Sequence, residues 1–243
     1  MSTAEGPQRL TSRARGAHNR AEVPLGALSA EPTGSIIRAM SASIIGIPME
    51  HVIPAGILGP DPTTVNVRAY LVPHKAGLTL VDTGLDPGGA ALDLALADAG
   101  ASWTDVSDVV ITHAHPDHVG ALDHVRVAAP KARVHANPAE RMAGTLPLSD
   151  GDTVNTLRAI ATPGHTEGHL SLIDESQAAL LVGDCLGVVD GQLVRAPAQF
   201  TADGEQAEES LHRLRSLRGS RMLFAHGHEL TQPWADLDVL LSD

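Results

Sequence analysis

Thr112-His113-Ala114-His115-Pro116-Asp117-His118 packs three imidazoles and a carboxylate into a short run directly behind the apolar stretch Val109-Val110-Ile111. So dense a set of donors points to metal. Two histidines separated by one residue can aim at one ion from an extended turn, and an aspartate followed at once by a histidine can serve a second ion nearby. A divalent ion normally takes four or more ligands, and imidazole with carboxylate suits zinc, iron or manganese rather than calcium. The remaining ligands must come from elsewhere in the chain.

Three other segments repeat the pattern of a polar donor at the end of an apolar run. Thr162-Pro163-Gly164-His165 follows residues 157–161, Leu180-Leu181-Val182-Gly183-Asp184 ends a strand-like run, and Met222-Leu223-Phe224-Ala225-His226-Gly227-His228 does the same. Donors at the ends of buried strands, with glycine permitting close backbone approach, are what a rigid site with two ions requires.

With these residues in hand the chain resembles the metallo-β-lactamase-fold superfamily of metal-dependent hydrolases, including its glyoxalase II-like members. Five signatures occur in order over roughly residues 65 to 230: Asp82 in Val81-Asp82-Thr83-Gly84, the His113/His115/Asp117/His118 cluster, His165, Asp184 and His228. The resemblance implies that His113, His115 and His165 bind a first ion, that Asp117, His118 and His228 bind a second, and that Asp184 bridges them. Asp82 is implied to orient the cluster from behind, as outer carboxylates do. His228 is preferred to His226 because the family's last motif reads Gly-His.

The implied chemistry is hydrolysis. Water shared by two divalent ions, zinc in the first instance, would fall in pKa from about 15.7 to roughly 7, giving hydroxide at neutral pH. That hydroxide would attack a carbonyl carbon, with Asp117 or Asp184 orienting it and returning a proton. Small esters, thioesters and lactones are the expected substrates. Cys185, next to Asp184, reads as a small core residue rather than a nucleophile. His169 is left outside the metal set, and His51, His74, His124, His135 and His212 have no ligand-like context.

Details within the superfamily narrow the reading. Asp184 counts against β-lactam hydrolysis, because true β-lactamases of this fold generally lack a bridging aspartate. Leu186, Gly187 and Val188 stand where many acyl-homoserine lactonases carry tyrosine. Gly227-His228-Glu229 matches glyoxalase II-like thioesterases, but these append a helical domain, and only fifteen residues follow His228. The alternatives are a mononuclear iron persulfide dioxygenase and a non-catalytic metal-binding module of the same fold.

Composition sets further bounds. A formal net charge of −12 repels phosphate-rich partners, and 2% aromatic residues leave little to stack on bases, so nucleic acid is not an expected partner. A single cysteine excludes an internal disulfide and fits a reducing cytoplasm, the expected location. No apolar run is long enough to suggest membrane insertion. Residues 1–42, rich in Gly, Ser, Pro, Ala and arginine, are expected to form a flexible extension, and residues 43–243 a single domain.

From residue 43 the pattern predicts strands over 43–53, 66–72, 77–82, 108–112, 133–135, 156–161, 170–173, 179–182 and 221–225. Helices are predicted over 88–99, 117–127, 204–217 and 233–241. Periodicity alone gives mixed α and β, and the resemblance implies a four-layer αββα sandwich. Residues 51–66 and 183–200 are expected to shape the substrate pocket.

Overall fold

Strands whose two faces are both apolar must be covered on both sides, and this requirement organises the molecule. The computed structural model describes residues 43–57, 59–218 and 221–242. The extension expected over residues 1–42 lies outside them.

The first sheet runs in spatial order β1 (Ile45–Ile53), β2 (Thr63–His74), β3 (Gly77–Val81), β4 (Val106–Val110), β5 (Arg133–Ala136) and β6 (Leu146–Pro147). Its first three strands pair antiparallel and the rest parallel. The second sheet has the order β13 (Arg221–Leu223), β10 (Ala179–Leu181), β9 (Leu170–Asp174), β8 (Leu157–Ala161) and β7 (Thr153–Val154). A separate hairpin joins β11 (Leu186–Val189) to β12 (Gln192–Arg195).

Alternation assigns each face. Leu71, Leu78, Leu80 and Val109 pack with Leu92, Leu96, Leu122 and Val125, which belong to α1 (Ala90–Asp98) and α3 (Leu122–Ala128). Their neighbours Tyr70, Val72, Val81 and Val110 point the other way, onto Leu157, Leu170, Leu172 and Leu181 of the second sheet. The outer face of that sheet, with Ile160, Ile173, Leu180 and Met222, meets Leu211 and Leu214 of α4 (Gly204–Arg215) and Leu237 of α5 (Pro233–Leu240). Three apolar layers thus separate helix, sheet, sheet and helix, giving the four-layer αββα sandwich. Each fully buried aliphatic side chain contributes roughly 1.5–3 kcal/mol.

Two expectations need correction. The helix expected over 117–127 is broken into α2 (Pro116–Val119) and α3. At Gly120, between them, a Cβ would lie 2.3 Å from the Leu85 carbonyl oxygen, so the chain crosses there on bare backbone. Residues 183–200 are not simply loop, because β11 and β12 form a hairpin. Its turn holds Asp190 at φ 50° and Gly191 at φ 78°, the conformation for which Asp-Gly is favoured. Among the described residues no helix is long and apolar enough to cross a membrane.

Candidate metal centre

β4 delivers the opening cluster. Its last residues run into Thr112, whose N–H and hydroxyl donate to the two oxygens of Asp82, each at 2.8 Å. Pro116 occupies the first position of α2, and the residue before a proline is held extended. His115 accordingly has φ −69° and ψ 149°, while Asp117 and His118 sit in the first helical turn. The sequence therefore splits its donors between an extended arm and a helix.

Two groups result. His113, His115 and His165 form one, and Asp117, His118, Asp184 and His226 the other, the potential ligand atoms of each lying within 4.8 Å of one another. Asp184 stands between them. Its Oδ1 is 3.2 Å from His118 Nε2, and its Oδ2 is 3.2 Å from His226 Nε2, 3.5 Å from His165 Nε2 and 3.9 Å from His113 Nε2. His113, His118, His165 and Asp184 are buried.

Buried polar atoms are almost always hydrogen-bonded, and leaving one bare costs about 1–3 kcal/mol. Here His113 Nε2, His118 Nε2, His165 Nδ1 and Asp184 Oδ1 have no hydrogen-bond partner. A bare carboxylate oxygen together with three bare imidazole nitrogens fits metal ions, which take the lone pairs the protein leaves unused.

Of the last two histidines, the structure brings His226 into the second group and leaves His228 outside both. His226 Nδ1 donates to the Asn66 carbonyl at 2.7 Å, which turns Nε2 into the centre, 3.3 Å from Asp117 Oδ2 and 3.2 Å from Asp184 Oδ2. Val188 N–H donates to the His226 carbonyl, so the backbone is fixed as well. His228 is exposed and lines a different cavity with Arg68, Tyr70 and Glu229. His226 follows its apolar run directly, whereas His165 and Asp184 each follow a glycine, as His228 does, so the sequence pattern by itself does not single it out.

Charge follows geometry. Burial lowers the pKa of His113 far below the usual value and that of His165 to about 4, the neighbouring imidazoles adding to the effect. Burial alone would do the same to His118 and His226. The adjacent carboxylates overcome it, Asp184 and Asp82 raising His118 well above its usual value, and Asp184 and Asp117 raising His226 to about 10. Burial pushes the Asp184 carboxyl upward, but the charges of His118 and His226 hold it well below the usual range. The second group therefore demands positive charge, from protons or from an ion.

Support for the ligands comes from side chains behind them. Asp82 Oδ2 meets His118 Nδ1 at 2.8 Å, which fixes the ring and turns Nε2 to the site. Asp184 N–H donates to His169 Nε2 at 3.0 Å, and Nδ1 of the same ring meets Thr162 Oγ1 at 2.8 Å. Burial lowers the His169 pKa to about 3, so the ring is neutral. Gly183 has φ 57°, and a Cβ on it would lie 2.5 Å from His169 Nε2. Cys185 is buried, and its thiol is pushed up to about 11 by that burial, so it is no thiolate.

Glu140 escaped the sequence reading. One oxygen accepts from Ala114 N–H at 2.7 Å and the other from Thr166 Oγ1 at 2.5 Å and Gly168 N–H at 3.0 Å. It clasps the loops that carry His115 and His165. A lone glutamate in a 3-10 turn has no motif to mark it.

Comparison with known proteins places these features. The sequence profile described as "Metallo-beta-lactamase superfamily" matches residues 62–226. The hydroxyacylglutathione hydrolase of Ectopseudomonas mendocina is 37% identical over 153 residues, covering 60% of this chain and 56% of that protein. The uncharacterized protein YobT of Bacillus subtilis is 29% identical over 207 residues, 71% of this chain and 88% of that one. The chain thus spans just over half the length of the hydroxyacylglutathione hydrolase it matches. The crystal structure of the metallo-beta-lactamase family protein TTHA1429 from Thermus thermophilus aligns with TM-score 0.64 at 26% identity, covering 82% of this chain and 78% of that one. TTHA1623, crystallised in a di-iron-bound form, aligns with TM-score 0.59 at 25% identity, covering 76% and 96%.

Proposed function

Because the chain belongs to the metallo-beta-lactamase superfamily, we propose that it is a metal-dependent hydrolase of a small ester, thioester or lactone, with thioesters foremost. One observation carries the reading: the Asp184 carboxylate lies within 3.9 Å of four imidazoles, at a centre where buried donor atoms are left bare. The similarity to hydroxyacylglutathione hydrolases supports the thioester preference.

In this proposal His113, His115 and His165 would hold one ion, Asp117, His118 and His226 the other, with Asp184 serving both. Two divalent ions, zinc first among those suiting such a donor set, supply Lewis acidity that polarises a carbonyl and brings the pKa of water to roughly 7. Asp184, pinned through its N–H by His169, keeps the two groups in register. Asp82 holds the proton-bearing Nδ1 of His118, so that Nε2 faces inward.

Asp117 is the proton carrier. Burial pushes its carboxyl up, and the His226 and His118 imidazoles more than offset this, holding it below the usual carboxylate range. Its Oδ2 faces His226, which leaves Oδ1 to take the proton of the attacking water and return it to the leaving thiolate. The products are a carboxylic acid and a thiol, with no other reactant than water.

Protein of measured metal content, assayed against esters, thioesters, lactones and persulfides, tests the reading. Hydrolysis that stops on chelation and returns with added zinc is expected. One iron per chain with oxygen uptake on persulfides would replace it with the dioxygenase reading.

A further inference from the structure

A cavity of about 230 Å³ opens beside the centre, with His165 and Asp184 in its wall. It is smaller than the roughly 300–1,000 Å³ of pockets that enclose a drug-sized ligand, so it suits part of a substrate. Its far side is built by α4 and by the segment that follows β12. There the side chains are short, at Ala196, Ala198, Gly204 and Ala207, and the buried Leu211 also lines it.

The polar side chains of the wall are already engaged. Arg195 donates through Nε and a terminal nitrogen to the two oxygens of Glu208, at 2.8 and 2.9 Å. Thr201 Oγ1 donates to the Pro197 carbonyl at 3.1 Å, Thr162 Oγ1 meets His169, and the Cys185 thiol lies 3.8 Å from the Thr162 carbonyl oxygen. Only His165 and Asp184 present bare atoms, and these belong to the metal centre. A charged group entering the cavity would lose its water without gaining a partner, which is costly.

Resting on the hydrolase reading, we propose that this cavity receives the acyl chain of the substrate, and that the chain is short, uncharged and largely apolar. Position decides between the two halves of the substrate. The cavity abuts the reacting centre, with His165 and Asp184 in its wall and the buried Leu211 in its lining, so it lies within reach of a substituent attached directly to the carbonyl carbon. Ala207 and Ala196 both line it, and their short side chains leave the room that the acyl chain takes.

Acetyl, butyryl and succinyl thioesters of one small thiol, and butyryl thioesters of several thiols, are assayed on the zinc-loaded wild type, Ala207→Leu and Ala196→Leu. The wild type is expected to turn over butyryl at least about tenfold better in kcat/KM than succinyl. Each substitution is expected to lower the butyryl-to-acetyl ratio by roughly tenfold or more. An unchanged ratio, equal use of succinyl, or an effect confined to the choice of thiol would overturn the acyl pocket while leaving the hydrolase reading intact.

A second readout covers the case of no turnover. Both acetate and butyrate can bind metal through their carboxylates, so any extra thermal protection by butyrate reports the cavity. If no thioester, ester or lactone is hydrolysed, the hydrolase reading fails. The cavity assignment then stands if butyrate protects more than acetate and Ala207→Leu removes the difference, and it falls if the two acids protect the wild type equally.

Discussion

Asp108 and Asp184 are both buried aspartates between or beside sheets, and their surroundings are opposite. Asp108 accepts from Arg133 at 2.9 and 3.0 Å, from His135 and Ser107 at 2.8 Å each and from Asn155 at 2.9 Å. Asn155 also donates to Thr79, so the network ties the first sheet to the turn between β7 and β8. Asp184 has imidazoles on every side, yet its Oδ1 makes no hydrogen bond. A carboxylate that the protein satisfies completely holds the fold together. One that it leaves bare awaits something the protein does not supply.

The comparison breaks most visibly under substitution. Asp184→Asn is expected to reduce turnover to background while the chain still unfolds cooperatively. Full activity in a steady-state assay would remove Asp184 from the centre. Asp108→Ala should do the reverse, lowering stability by about 3 kcal/mol in denaturant unfolding, since it strands several donors and a guanidinium at once, while the metal content of the folded protein stays unchanged. A loss of metal on this change would mean that the two regions are not separate.

Smaller effects sharpen the contrast. Asp82→Ala leaves the ligands in place but frees the His118 ring, and metal affinity should drop by roughly 10- to 100-fold in a chelator competition assay. An unaltered affinity would show that the ring is held by packing alone.

Acid gives the mildest test. Burial pushes the Asp108 carboxyl up, but hydrogen bonds from Arg133, Asn155 and His135 overcome this and hold its pKa far below the usual 3.8. The unfolded chain therefore takes up this proton first as pH falls. The stabilisation is complete above about pH 4 and is lost progressively below it. Denaturation midpoints measured on metal-free protein should fall more steeply below pH 4 in the wild type than in Asp108→Ala.

Much of this was legible in the chain, and the failures have causes. The central strands and four helical regions could be read because each has an apolar run of the right period, and the seven grouped donors all follow strands or open a helix, six of them within the motifs quoted for the resemblance. The β11 and β12 hairpin was passed over although Asp190-Gly191 marked its turn. His226 and His228 are two residues apart behind the same apolar run, and only the tertiary contacts to Asp117, Asp184 and Asn66 tell them apart. Glu140 and His169 act through contacts 26 and 15 residues distant along the chain, to Ala114 and Asp184, which no local pattern encodes. The cavity beside the centre depends on α4 lying over the His165 loop, a matter of tertiary packing.

The central proposal is that two ions are held around Asp184, with His226 and not His228 among their ligands. Metal content per chain, measured beside thioester turnover on wild type, His226→Ala and His228→Ala, tests it most directly. Two ions in the wild type and in His228→Ala, with one lost and turnover collapsed in His226→Ala, is the predicted result. Loss of an ion in His228→Ala with retention of both in His226→Ala would contradict it.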